Sequence, residues 1–130
     1  MLFQNTMKLL QKYGMNFLNG LGTTLLLALI SVAIGCVIGA LVAIMRLSKS
    51  KVLRSIATVY TEVIRDTPLL LQLYFFWIGL PKLVPFELTD TQCIVAALAV
   101  NASAFISEII RAGIGAVDKG QWEAARSIGL

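Results

Sequence analysis

Histidine is absent from the 130 residues, and cysteine occurs only twice, as Cys36 and Cys93. Because histidine is the commonest general base and metal ligand, its absence argues against acid–base catalysis and against a metal centre. Both cysteines belong to apolar runs, where a small residue packed in a helix is commoner than a disulfide or a metal ligand. No Gly-x4-Gly-Lys-Ser/Thr sequence occurs, so no P-loop is present. We therefore expect no catalytic residue, no metal and no cofactor bound by this chain.

Charge is also scarce. Charged residues make up 14% of the chain and hydrophobic residues 58%, whereas an average soluble domain has about 25% charged residues. The net charge of +4 could suggest nucleic acid, but four basic residues crowd between two apolar runs, at Arg46, Lys49, Lys51 and Arg54. That placement is typical of the cytoplasmic side of a membrane protein, and no aromatic residues interleave to stack bases. We expect a lipid bilayer as solvent and no nucleic-acid partner.

Three segments are predicted to cross the bilayer: residues 21–45, 56–80 and 92–111. The first carries no charge, and as a helix it would reach about 37 Å, which is enough to span. Residues 1–20 are mildly amphipathic and suit the headgroup region. With residues 46–54 in the cytoplasm, the N-terminus lies outside and the third segment runs inward. Small residues recur every fourth position of the first segment and predict close helix packing: Ser31, Gly35, Gly39 and Ala43.

The second segment is interrupted. Glu62, Arg65 and Asp66 are followed by Pro68, which disfavours helix at Thr67. Residues 69–80 are apolar but too few to cross alone, so we predict one broken helix with charges near the break. Irregular backbone at membrane depth is typical of a transport pathway. Alternatively, the charges lie at the cytoplasmic interface and the span begins at Leu69.

The third segment is apolar apart from a few polar residues that include Asn101 and Glu108. Arg111 lies one turn beyond Glu108, at the spacing of an ion pair on one helix. A carboxylate within a span is expected to be paired and to face protein or water. A transport role and a structural ion pair near the inner interface both fit this placement.

A soluble helix is predicted at about residues 118–129. Asp118 and Gln121 have the spacing of a capping box, and Gly129 suits the left-handed position after a helix. The predicted topology places this helix in the cytoplasm.

The run from Gly120 to Leu130 resembles the EAA motif of ABC importer permeases, with matches at Glu123, Ala124, Ala125 and Gly129. Three further runs, residues 22–25, 60–73 and 101–113, resemble the branch that carries polar and basic amino acids (histidine, glutamine, glutamate, arginine and opines). The resemblance extends over about residues 16–130.

This resemblance implies an all-α membrane protein with the type I ABC importer permease fold. The chain would hold its first three transmembrane helices and the cytoplasmic coupling helix. Family members continue with further spans, so we expect a fragment or the product of a truncated gene. The implied setting is the bacterial inner membrane. The implied partners are ABC ATPase subunits that hold ATP, a second permease subunit, identical or homologous, and an extracytoplasmic solute-binding protein.

The interrupted second segment, the polar positions of the third and the resemblance together give the candidate residues. Those for ATPase coupling are Gly120, Gln121, Trp122, Glu123, Ala124, Ala125, Arg126 and Gly129. Those for a substrate pathway are Arg65, Asp66, Thr67, Pro68, Gln72, Asn101, Glu108 and Arg111.

Two other functions remain open. One is an ABC permease for a different small solute, which uptake profiling would distinguish. The other is a small helical membrane protein for assembly or sensing, which would not co-purify with an ATPase.

Overall fold

A computed structural model describes residues 1–130, which form six α-helices joined by short turns, without β-strands. The helices are α1 (Leu2–Arg46), α2 (Lys51–Asp66), α3 (Leu69–Tyr74), α4 (Leu80–Leu83), α5 (Asp90–Gly115) and α6 (Lys119–Ser127), and a π-helical turn (Phe75–Gly79) joins α3 to α4. The expected all-helical architecture is therefore confirmed.

The first helix is longer than the predicted span. Residues 1–20 do not form a separate segment but continue into the apolar run as one helix of 45 residues. No proline interrupts this stretch, so nothing removes a backbone hydrogen bond before the chain turns. The predicted loop 46–54 is also shorter than expected, because α2 begins at Lys51 with Ser50 as its N-cap. Two of the four basic residues thus lie inside α2.

The predicted break in the second segment is present. Thr67 has an extended backbone (φ −92°, ψ 131°) and separates α2 from α3. Beyond α3 the helix widens into the π-helical turn, which was not predicted, and it continues to Leu83 past Pro81. The residue before a proline avoids the helical conformation, and this steric effect places the break at Thr67.

The N-terminus of α5 is fixed by a capping box that we did not predict. Thr89 Oγ1 accepts a hydrogen bond from the Gln92 amide at 3.2 Å, while the Thr89 amide donates to Gln92 Oε1 at 3.0 Å. Trp77 Nε1 donates to Asp90 Oδ1 at 2.9 Å and ties the π-helical turn to the same end. Together these bonds set where the third predicted span begins.

The two long helices pack side by side in the same direction. Gly35 lies against Ala99 and Ala102, and four residues later Gly39 lies against Ser103 and Ile106. Because α1 and α5 are parallel, the intervening α2–α4 segment must return along the bundle.

Two helices, α1 and α5, are long and apolar enough to cross a membrane, and the shorter apolar stretch Leu69–Leu83 lies between them. Most large apolar side chains are exposed, and only 14 residues are buried. That inversion of the usual pattern fits an apolar solvent or further protein around the bundle.

Candidate transport and coupling site

The small residues of α1 form the contact with α5. Ser31, Gly35, Gly39 and Ala43 are all buried. A Cβ atom added at Gly39 would lie 2.9 Å from the Ser103 carbonyl oxygen, so the backbones touch where the side chain is missing. This close approach is the arrangement that small-xxx-small sequences permit in membranes.

An ionic cluster joins the same two helices at their C-terminal ends. Glu108 forms ion pairs with both Arg46 and Arg111. The Arg46 side chain is only 13% exposed and that of Glu108 24%. Each oxygen of the carboxylate thus faces a guanidinium group, which ties α5 to α1.

Arg46 is the member of this cluster that the sequence analysis missed. It was assigned to the basic loop as one of four topology-setting charges, whereas it is the last residue of α1. The signal was present, since the predicted topology puts the ends of the first and third spans on one side of the membrane. Arg46 could therefore have been expected to lie near Glu108, as a second cation beside Arg111.

A second group of polar contacts surrounds the break. Gln72 Nε2 donates to the Ile64 carbonyl at 2.8 Å and to the Thr67 carbonyl at 3.1 Å. Tyr60 and Ser103 are hydrogen-bonded through their hydroxyls at 2.7 Å. A cleft of about 410 Å³ opens beside the break, and Thr67 and Gln72 line it together with Tyr60.

The remaining pathway candidates are not drawn into these groups. The Arg65 guanidinium lies over the Phe105 ring, 5.8 Å from its centre, and packs the end of α2 on α5. Asp66 and Pro68 are exposed, and Asn101 is partly buried. Of the eight candidates, Thr67, Pro68 and Gln72 lie at the break, and Glu108 and Arg111 belong to the ionic cluster. The other three belong to neither group: Arg65, Asp66 and Asn101.

Helix α6 follows α5 after a turn of three residues. Asp118 occupies the N-cap position, but its side chain forms no cap hydrogen bond. The predicted Asp118–Gln121 capping box is therefore wrong. Instead the Gln121 amide bonds to the Asp118 backbone carbonyl at 2.9 Å, so the first turn closes without the side chain.

The C-terminus of α6 is closed by a Schellman motif. Gly129 has a positive φ of 87°. Its amide bonds to the Arg126 carbonyl at 3.1 Å, and the Leu130 amide bonds to the Ala125 carbonyl at 3.0 Å. The predicted left-handed conformation of Gly129 is confirmed.

The coupling candidates lie on this short helix or at its end, and all but Ala125 are exposed. Trp122 is 54% exposed, which is unusual for a tryptophan unless a partner or lipid covers it. Gln121, Trp122 and Ala125 form an apolar groove with Ile114 and Val117 at the end of α5. The helix thus offers a surface of small and aromatic residues.

Long apolar helices, a buried small-residue seam and a broken central segment are typical of an integral membrane protein. Residues 35–130 match the family described as binding-protein-dependent transport system inner membrane component. The chain belongs to this family.

Relatives of known name are similar over most of this chain. The arginine transport system permease protein ArtQ of Bacillus subtilis is 43% identical over 113 residues, covering 87% of this chain and 52% of ArtQ. The probable glutamine ABC transporter permease protein GlnM of Bacillus subtilis is 45% identical over 114 residues, covering 88% and 52%. The nopaline transport system permease protein NocM of Agrobacterium fabrum is 44% identical over 117 residues, covering 83% and 48%.

A solved structure is also similar. In a crystal structure of an amino acid ABC transporter with histidines, one chain aligns with a TM-score of 0.84 and 45% identity, covering 93% of this chain and 56% of that one. The chain described here spans about half the length of these relatives.

Proposed function

We propose that this chain contributes the translocation pathway and the ATPase-docking helix of a permease that imports amino acids. The observation that carries the docking role is α6, an exposed helix closed at its C-terminus and joined by three residues to α5. Because the ionic cluster ties α5 to α1, a push on α6 moves two long helices together. ATP is bound and hydrolysed by the partner ATPase, whose closure supplies that push.

An amino acid is the proposed cargo. Relatives over 40% identical are named as permeases for arginine, glutamine and nopaline, and the structural neighbour contains histidines. We propose further that a second permease subunit completes the pathway and that an extracytoplasmic solute-binding protein delivers the substrate. Competition of radiolabelled arginine uptake by glutamine, histidine and an unrelated sugar tests the cargo. If the sugar inhibited arginine uptake and the two amino acids did not, the proposed cargo would be wrong.

The proposed location is the bacterial inner membrane, with an external N-terminus and a cytoplasmic α6. Parallel α1 and α5 support this topology, because a chain that crosses three times has its first and third passes in one direction. The four basic residues in and beside the turn from α1 to α2 support its cytoplasmic assignment: Arg46, Lys49, Lys51 and Arg54.

Cysteine labelling tests the orientation. In a background with Cys36 and Cys93 replaced, Asn5→Cys is expected to react with an impermeant maleimide added outside, and Leu47→Cys only after permeabilisation. Leu47 is used because it is exposed, carries no charge and leaves the Ser50 cap intact. The opposite pattern would invert the proposed topology and place α6 outside, away from any ATPase.

A substitution on α6 tests the docking role. Ala124→Glu adds a bulky charge to a small exposed position, and overpacking a close contact costs about 1–3 kcal/mol. We therefore expect affinity for the ATPase to fall about tenfold in a detergent pull-down. Gly129→Val is expected to act likewise, since a β-branched residue resists positive φ.

Lys119→Glu is the matched control, because it places a glutamate on the same helix outside the proposed contact. Membrane insertion is compared first, so that misfolding is not read as lost docking. If Ala124→Glu and Gly129→Val both insert, retain the ATPase and still stimulate ATP hydrolysis, α6 is not the coupling element.

A further inference from the structure

The break between α2 and α3 leaves backbone carbonyls without backbone donors, among them those of Ile64 and Thr67. Pro68 has no amide hydrogen, so the Ile64 carbonyl four residues earlier loses its helical partner. Extended Thr67 turns its own carbonyl away from the α3 ladder, whose first turn closes instead through the Gln72 amide and the Pro68 carbonyl at 3.2 Å. In a bilayer, water does not reach such groups easily, and each one must be satisfied by protein.

The side chain of Gln72 supplies a donor to the carbonyls of Ile64 and Thr67. Its Nε2 bonds to the Ile64 carbonyl at 2.8 Å and to the Thr67 carbonyl at 3.1 Å. Both partners can only accept, which fixes the orientation of the carboxamide. One side chain of α3 thus reaches back across the break to the last turn of α2.

Gln72 is buried, and its Nε2 is the only polar atom of its side chain that forms hydrogen bonds. The residue is 5% exposed, and its Oε1 lies buried without a hydrogen-bond donor. An unsatisfied buried acceptor is unfavourable. Both N–H groups are therefore used within the protein, and Oε1 is the only polar atom of the side chain without a partner.

The α2 side of the break is in turn held to α5. Ser103 Oγ donates its only proton to the Val100 carbonyl at 2.6 Å, so Tyr60 must donate the bond to Ser103. Movement of α5 is thereby passed to Tyr60, one turn before Ile64. The two hydrogen bonds of Gln72 then hold α3 at a fixed angle to α2, so that α3 moves with α2.

We propose that Gln72 is a positioning residue that replaces the amide missing at Pro68 and fixes the angle of the broken helix, and that it does not contact the transported solute. This assignment differs from the substrate-pathway role that the sequence suggested. It rests on the proposed transport function only for its effect on uptake. The effect on helix geometry is independent of the cargo.

The experiment uses the permease assembled with its partner subunits in nanodiscs. Spin labels at Val59 and Phe75, both exposed and on either side of the break, report the angle by electron–electron double resonance. An unbroken helix would separate their Cα atoms by about 24 Å. The variants are Gln72→Leu, which removes the donors, Pro68→Ala, which restores an amide, and the two combined.

We expect Gln72→Leu to broaden the distance distribution and to reduce amino-acid uptake per ATP about tenfold, with the substrate concentration for half-maximal uptake unchanged. The combined variant is expected to give one narrow distance, near the straight-helix value, without recovery of uptake. Leu70→Ala, an exposed neighbour on α3, is the control and should leave the distance unchanged. Gln72→Asn, which is too short to reach both carbonyls, serves if Gln72→Leu does not assemble.

The proposal would be overturned if the Gln72 variants kept a narrow, unchanged distance but needed a higher substrate concentration for half-maximal uptake. Gln72 would then be a solute ligand. If the distance changes as expected while the unmodified transporter imports no amino acid, the proposed function fails and the positioning role stands.

Discussion

Glu108→Gln is expected to destabilise the bundle by about 1–3 kcal/mol, because these partly buried ion pairs lie between exposed pairs and fully buried ones. The substitution keeps the shape of the side chain but leaves Arg46, only 13% exposed, facing Arg111 without a carboxylate between them. The two guanidinium groups then repel each other in a medium that screens poorly. Because this cluster ties α1 to α5, coupled uptake should fall as well.

Denaturation in mixed micelles with increasing SDS measures the stability, and reconstituted vesicles measure uptake. Ile109→Gln is the matched control, since it introduces the same side chain at the adjacent, 68% exposed position. Equal and small effects from both substitutions would show that the ionic cluster is unimportant.

A double substitution separates the charge from the contact. Replacing Arg46 and Glu108 together by leucine removes two of the three charges, and Arg111, which is 41% exposed, is left without its carboxylate. Buried ion pairs replaced by apolar residues often lose no stability. We expect the double variant to recover most of the stability lost in Glu108→Gln while uptake remains low. Such a split would mean that the cluster serves movement more than folding.

The sequence was sufficient for features that depend on neighbouring residues. Pro68 indicated the break, because the steric effect of its ring disfavours helix at the residue before it. Pro81 has the same effect, yet Leu80 stays helical and the chain does not break there. Gly129 alone closed α6, since a positive φ favours glycine. The long apolar helices α1 and α5 also followed from apolar length, which a single helix satisfies without partners.

Features that depend on distant residues were harder to predict. The small-residue stripe of α1 predicted close packing but could not name α5 as its partner, because any smooth helix face would fit it. Arg46 was grouped with the basic residues beside it, and only the parallel packing of α1 and α5 brings it to Glu108. Gln72 was grouped with the pathway candidates, and nothing in the sequence indicated that its side chain reaches back to the Ile64 carbonyl.

Local rules also failed where two solutions compete. Asp118 has the spacing for a capping box, yet the cap bond is absent and a backbone bond closes the first turn. A capping box does form in this chain, but at the start of α5, between Thr89 and Gln92. Residues 1–20 differ in composition from the apolar run that follows, but a change in composition does not end a helix when no breaking residue intervenes.

Gly39→Val is expected to separate α1 from α5 and to lower the stability of the bundle by about 2 kcal/mol. A Cβ at this position would lie 2.9 Å from the Ser103 carbonyl oxygen and 2.9 Å from Ile106 Cγ2. The carbonyl belongs to the backbone of α5, so the conflict is relieved only if the helix moves. Replacing glycine in a helix is favourable by itself, but for valine the gain is only about 0.3–0.4 kcal/mol, which is too small to offset the overlap.

Gly22→Val is the matched control, because Gly22 lies on the same helix and a Cβ there meets nothing within 4 Å. The same SDS titration should find Gly22→Val close to the unmodified protein. Gly39→Ala should fall between the control and Gly39→Val, since it adds the conflicting atom without the two methyl groups. Movement of Ser103 also strains its bond to Tyr60, so the label distance across the Pro68 break should change in Gly39→Val alone. If Gly39→Val and Gly22→Val unfold at the same SDS concentration, the close approach of α1 and α5 does not hold the bundle together.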